Sequence, residues 1–195
     1  AEAMQSICDA VSESDADFGI IFDTDVDRAG AVLPTENGIL PLDRNRLIAI
    51  MAAILSKQYG AITVVTDSIT STGLNVFISS PGCRHHRFKR GYRNVINEAK
   101  RLMAEGENAV FAMETGGHGA LYENYFLDDG MYLVTRLICE AMRRKREGKT
   151  LSSLIDDLQE PVESTEIRLP ILEEDFRTAG QDVIERILSH TLDNP

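Results

Sequence analysis

Apolar residues near the start of the chain recur at three- and four-residue spacing (Met4, Ile7, Cys8, Val11), which predicts an amphipathic helix. The run Phe18-Gly19-Ile20-Ile21-Phe22 then reads as a buried strand. Ala29 to Leu33 predicts a short second strand, and Glu36-Asn37-Gly38 a turn. Asp43 opens a helix whose apolar side carries Leu47, Ile48, Ile50, Met51, Ile54 and Leu55. Ala61 to Thr66 is β-branched and apolar, the pattern of a buried strand. Ser71 to Ser79 predicts a helix closed by Pro81-Gly82, and residues 84–88 a short strand. Tyr92, Val95, Ile96, Ala99, Leu102 and Met103 mark the next helix. Ala109 to Met113 is a further buried strand, broken by Gly116-Gly117-His118-Gly119. Asp128-Asp129-Gly130 precedes a long helix ending in Arg143-Arg144-Lys145-Arg146, charges that suit a helix C-terminus. Residues 148–164 read as a linker with one short helix. Thr165 to Ile171 reads as a strand, and Glu173 to Leu192 as a helix that stops at Asn194-Pro195.

Strands alternating with helices across the middle of the chain indicate an α/β fold, a layered sheet with helices on its faces. In such folds chemistry gathers in loops beyond the carboxyl ends of strands. Three loops qualify here: 23–28, 89–94 and 114–119.

Composition narrows the class. With 43% hydrophobic and 26% charged residues, the chain is ordinary for a soluble globular protein. Its net charge of −11 argues against nonspecific nucleic-acid binding, which needs a basic surface. No apolar run approaches the ~18 residues of a membrane helix, and no cleavable leader is evident. Cys8, Cys83 and Cys139 are odd in number and widely spaced, which suggests reduced thiols and a cytoplasmic setting. The first residue already lies within a helical pattern, so the chain is expected to be a fragment of a longer protein.

The first loop is the most chemically loaded. Asp23, Asp25 and Asp27 alternate, and an extended backbone would send all three carboxylates to one side. Three anions there repel unless a cation neutralises them, and oxygen-only ligands suit Mg²⁺. Arg28 adds a guanidinium able to hold a phosphoryl oxygen beside that metal. An EF-hand would need Gly and Glu where Arg28 and Pro34 stand. A haloacid-dehalogenase-like phosphatase, with Asp23 as nucleophile and Asp25 as acid/base, is a rival reading, and a solvated acidic turn is the plain one.

The second loop lies in a basic stretch on this acidic chain. Arg84, Arg87, Lys89, Arg90, Arg93, Lys100 and Arg101 stand against one acid, Glu98. A helix start flanked by Lys and Arg can seat a phosphate, and a solvated basic helix face has the same composition. His85 and His86 read as surface residues. In the third loop Glu114 follows a strand directly, and His118 follows two glycines. A carboxylate and an imidazole so placed can reach one small polyol.

Taken together these motifs resemble the α-D-phosphohexomutase superfamily. F-D-T-D-V-D-R-A-G is similar to its metal loop, F-D-G-D-G-D-R. E-T-G-G-H followed by L-D-D-G resembles its sugar loop, G-E-x-S-G-H, and K-R-G-Y-R resembles its lysine-and-glycine loop. The resemblance implies a Mg²⁺-dependent phosphotransferase that moves phosphate between C1 and C6 of a hexose phosphate through a phosphoserine. It implies that Asp23, Asp25 and Asp27 hold the metal and that Arg28 acts in catalysis. Lys89, Arg93, Glu114 and His118 would bind the phosphosugar. It divides the chain into 1–37 (end of domain two), 38–150 (domain three) and 151–195 (approach to domain four). The family's serine motif and its last phosphate loop are absent from the sequence, so the chain alone is expected to be inactive. Gly116 replaces the sugar loop's usual serine, and Tyr92 stands where a histidine is often found. A third reading keeps the fold as a non-catalytic sugar-phosphate sensor. The particular hexose and the oligomeric state are not encoded in these motifs.

Overall fold

A computed structural model describes residues 2–80, 82–163, 165 and 170–193. It divides into two compact units, residues 1–161 and 162–195.

The first unit opens with α1 (Glu2–Ser12). This helix lies on an antiparallel sheet of β1 (Gly19–Phe22), β2 (Ala29–Thr35) and β3 (Gly38–Leu42), in the order β1-β2-β3. The register runs Gly19 to Val32 and Phe22 to Ala29 on one side of β2, and Leu33 to Leu40 on the other. Gly19 is where α1 comes closest. A Cβ there would stand 2.6–2.9 Å from Val11, Ile7 and Val32. β3 was not expected from the sequence. It carries Pro41, which removes a ladder donor, and Pro is tolerated at a sheet edge such as this one. The expected boundary after residue 37 therefore falls inside the β2–β3 hairpin. β1 is also less buried than its apolar run suggests; only Gly19 is fully covered.

The second sheet has the order β5-β4-β6-β7, from β4 (Thr63–Asp67), β5 (Arg84–Phe88), β6 (Phe111–Met113) and β7 (Gly119–Leu121). β4 pairs in parallel with both β5 and β6, and β7 runs antiparallel to β6. Alternation along these strands sorts the core into two halves. Val64, Phe111, Met113 and Leu121 face one cluster, which includes residues of α2 (Arg44–Tyr59), α3 (Thr72–Ser79) and α5 (Gly130–Arg146). Val65, Ala112 and Ala120 face the other, under α4 (Tyr92–Ala104). The small alanines on that side let α4 sit close.

Helix starts follow local chemistry. The Asp43 side chain accepts from the Arg46 N–H, Ser71 from the Leu74 N–H, and Asp129 from the Tyr132 N–H. α2 is buried nearly all round, with eight covered apolar residues, because it runs beneath the sheet. α4 begins at Gly91 (φ 111°) with no side-chain cap, so its first N–H groups keep no side-chain partner. Beyond α5 the expected linker is not loose. Leu151 and Ile155 flank the 3₁₀ turn Ser152–Leu154 and are buried in the main core.

The second unit holds α6 (Phe176–Asp193), which carries the expected final helix. Pro81, Asn194 and Pro195, and most of the expected strand Thr165 to Ile171, lie outside the described residues.

Candidate functional site

The three loops named from the sequence meet. Loop 23–28 follows β1, loop 89–94 follows β5, and loop 114–119 joins β6 to β7. Main-chain pairing ties the first to the third: Arg28 and His118 form an isolated antiparallel bridge. Gly117 (φ 104°) lies under the Arg28 side chain, where an added Cβ would be 3.5 Å from the Arg28 Cβ. Gly130, the first residue of α5, is tighter. A Cβ there would fall 2.9 Å from the Val26 carbonyl oxygen and from Arg28 carbonyl carbon. Glycine at these positions lets the aspartate loop rest directly on the second sheet's edge.

The aspartate loop is not extended. It turns tightly, with Val26 at φ 62°, so alternation along a strand does not gather its carboxylates. Each aspartate has its own surroundings. Asp23 takes the Arg28 backbone N–H at 3.2 Å and the guanidinium at 2.7 Å. Partial burial pushes the Asp23 carboxyl up, but those Arg28 contacts outweigh it and hold the pKa below the ordinary value. Asp25 is exposed on the turn. Asp27 points toward the third loop, with Oδ2 3.6 Å from His118 Nδ1, and its Oδ1 is buried without a hydrogen-bond partner among the described residues.

The donors fit a hard divalent cation in part. Carboxylate oxygens suit Mg²⁺, and Asp27 Oδ1, without a hydrogen bond and 3.7 Å from Arg28 Nε, has lone pairs to offer. Ligation by all three aspartates requires Asp23 to exchange Arg28 for the ion. A different trio, Asp27, His118 and Asp128, brings three ligand atoms within 4.8 Å of one another.

In the third loop, Glu114 is buried and its carboxylate folds back, Oε2 accepting the Gly116 N–H at 2.8 Å. Gly116 permits this, since a Cβ there would lie 2.1 Å from Oε2. Thr115 donates to Asp67 Oδ2 at 2.5 Å, and Asp67 is fully buried at the end of β4. The loop is thus pinned to the central strand.

The second loop reaches the third through residues that the sequence reading did not assign to the site. Arg90 Nε lies 3.8 Å from Glu114 Oε1, and the Tyr92 ring stacks on His118 with centroids 4.5 Å apart. Lys89 and Arg93 instead stay over the aromatic rings beside them, Phe88 and Tyr92. His118 is also held by Asp128, whose Oδ2 is 2.7 Å from Nδ1. Burial is the largest influence on Asp128 and raises its pKa, which His118 partly reverses. His85 and His86 are not simple surface residues. Burial, aided by Arg87, lowers the His85 pKa to about 4, and His86 bonds to buried Glu98.

A cleft of about 430 Å³ opens beside the first and third loops, lined in part by Asp23, Arg28, Arg44, Gly116 and Gly117. Its size is in the range of small-ligand sites. Arg44, at the start of α2, is a second guanidinium on its wall that only the folded chain reveals.

Comparison with known proteins identifies the family and the fold. Residues 43–162 match the family described as phosphoglucomutase/phosphomannomutase, alpha/beta/alpha domain III. A phosphomannomutase/phosphoglucomutase of Pseudomonas syringae is 31% identical over 138 residues, covering 70% of this chain and 28% of that protein. A phosphoglucomutase/phosphomannomutase family protein of Burkholderia thailandensis superposes with a TM-score of 0.68 at 24% identity, over 83% of this chain and 33% of the other. The N-acetylphosphoglucosamine mutase of Aspergillus fumigatus, in complex with GlcNAc-6P and magnesium, gives 0.51 at 17% identity, over 75% and 37%. The chain spans about a third of the length of the curated relatives it matches.

Proposed function

The chain belongs to the phosphoglucomutase/phosphomannomutase family through its alpha/beta/alpha domain III, and from that premise we propose that it is the metal-loop and sugar-recognition portion of a phosphohexomutase. The full protein would move phosphate between C1 and C6 of a hexose phosphate in the cytoplasm. The observation that carries this reading is the convergence of three loops on His118: the Arg28 main chain, the Tyr92 ring and the Asp27 carboxylate all meet it. The fungal relative's complex with GlcNAc-6P and magnesium supports a hexose phosphate and Mg²⁺ as the ligands.

In this reading Asp23, Asp25 and Asp27 would hold Mg²⁺, which would supply positive charge to a transferring phosphoryl group. Arg28 would leave Asp23 for a phosphoryl oxygen as charge builds there. Glu114 and His118 would take sugar hydroxyls, and Lys89, Arg93 and Arg90 would face the sugar's phosphate. The antiparallel sheet to Leu42 would end the family's second domain, and residues 151–195 would lead toward its fourth. The dehalogenase-like alternative gains nothing from the geometry: Asp23, its nucleophile, is paired with the Arg28 guanidinium at the end of an antiparallel strand.

A coupled assay with glucose 1-phosphate and mannose 1-phosphate tests the proposal. A full-length protein carrying this segment should convert at least one of them, and the 195-residue chain alone should give background on both, since it has no serine motif to carry the phosphate. Robust turnover by the pure chain would overturn the assignment.

A further inference from the structure

His118 is held on three sides. Its main chain pairs with Arg28, and its carbonyl accepts the Glu114 N–H at 2.9 Å. One ring face lies on Tyr92, nearly parallel at 20°. The ring's Nδ1 sits 2.7 Å from Asp128 Oδ2, with Asp27 Oδ2 further off at 3.6 Å. The other nitrogen, Nε2, makes no hydrogen bond to a described residue.

Asp128 is itself fixed by backbone, not by chance proximity. It forms a bridge with Ala120 of β7, and the next residue donates its N–H to the Gly119 carbonyl at 3.2 Å. Asp129 then caps α5. The Asp128 carboxylate is thus carried on the junction of β7 and α5, two rigid elements, and delivered to a loop histidine.

A carboxylate is acceptor-only, so the shared proton belongs on Nδ1. A neutral imidazole that donates from one nitrogen accepts at the other. We propose that Asp128 is a positioning residue that holds His118 as the Nδ1–H tautomer, so that Nε2 meets a ligand hydroxyl as a hydrogen-bond acceptor. Tyr92 completes the seat by fixing the ring plane. This deepens the reading of the site as a sugar-phosphate site and assigns His118 a direction: it accepts from a hydroxyl and does not donate to a phosphate oxygen. Asp27, His118 and Asp128 could instead close on a cation through Nδ1, and the two arrangements exclude each other at that atom.

Imidazole ¹⁵N NMR on the uniformly labelled 195-residue chain decides between them. Spectra are taken with EDTA, at a pH where the ring is neutral, and His118 is assigned by loss of its signals in His118→Gln. The expected wild-type spectrum shows Nδ1 protonated and Nε2 bare, the Nδ1–H form dominating by about tenfold or more, the ratio that one charge-assisted hydrogen bond supplies. Asp128→Asn should cut that ratio by about tenfold or invert it, because an amide can donate as well as accept. Should Asp128→Asn fail to fold, the wild-type spectrum still decides. A dominant Nε2–H form overturns the proposal. So does loss of the Nδ1 proton signature on adding Mg²⁺ or Zn²⁺, which would make the trio a metal site.

Glucose 1-phosphate added afterwards separates this inference from the functional reading on which it rests. A saturable shift at Nε2, with Nδ1 still protonated, supports both. A correct tautomer with no response to the sugar phosphate counts against the hydroxyl-acceptor half of the inference and the sugar-phosphate reading, while the Asp128–His118 arrangement stands on the wild-type spectrum.

Discussion

At the scale of single residues, the three loops meet by contacts that only partly follow the sequence motifs. The proposed function gives Glu114 and Arg28 different tasks, and kinetics can separate them. In a full-length phosphohexomutase carrying this segment, Glu114→Ala should lower kcat/KM roughly ten- to a hundredfold, the cost of one lost hydrogen bond to a buried hydroxyl, at ~1–3 kcal/mol. Its Mg²⁺ dependence should stay as in the wild type. Arg28→Ala should depress kcat instead, since the guanidinium matters most as phosphoryl charge develops. Steady-state kinetics on two hexose phosphates makes the comparison; equal effects of both variants on KM alone would contradict it. That loops 23–28 and 114–119 sit at strand ends was legible, because each follows an apolar run directly. Arg90, Tyr92 and Asp128 were not singled out as site residues. Their partners Glu114 and His118 lie 10 to 26 positions away, and no local pattern encodes such a meeting. The aspartate loop was misjudged in one respect: it turns at Val26 and does not fan its carboxylates from an extended strand.

At the scale of elements, the site depends on close approach of backbone to backbone. Gly130 starts α5 against the main chain of Val26 and Arg28. Elsewhere in a helix, Gly→Ala gains up to ~1 kcal/mol of propensity. Here the added methyl would lie 2.9 Å from main-chain atoms, and such overpacking costs ~1–3 kcal/mol. Urea denaturation of Gly130→Ala should therefore show a net loss of stability, and a gain would mean that the aspartate loop does not rest there. α4 is tied to β5 by a charged cluster. Glu98 receives Arg101 at 2.8 and 2.9 Å and His86 at 2.9 Å. The Arg101 hydrogen bonds chiefly, opposed by burial and aided by His86, lower its pKa from 4.5 to about 2. A folded-state pKa below the unfolded one stabilises above the unfolded value, and the stability is lost as pH falls toward 2. Glu98→Gln should flatten that part of the acid limb in denaturation measured between about pH 4.5 and pH 2; an unchanged slope would show the cluster to be inert. Most elements could be read from periodicity and caps, such as Asp43 and Ser71. β3 and β7 could not. One holds Pro41, the other is three residues long beginning at Gly119, and both exist because a neighbouring strand offers pairing.

At the scale of the whole molecule, the two-faced sheet and its antiparallel neighbour bring loops from distant parts of the sequence to one place. The layered α/β fold was legible from alternating strands and helices. The separate antiparallel sheet was not, because β1 and β2 alone do not reveal a third partner. The central claim is that a sugar phosphate meets all three loops at once. Its most direct test is a backbone ¹H–¹⁵N titration of the 195-residue chain with glucose 1-phosphate in the presence of Mg²⁺, alongside Glu114→Ala and Asp25→Asn. The account predicts saturable shifts confined to residues 23–28, 89–94 and 114–119, weakened by Glu114→Ala, and with their Mg²⁺-dependent part lost in Asp25→Asn. Saturable shifts that map instead to the cleft between Ala52 and Asp157, or an unperturbed loop 114–119 at saturating sugar phosphate, would contradict it.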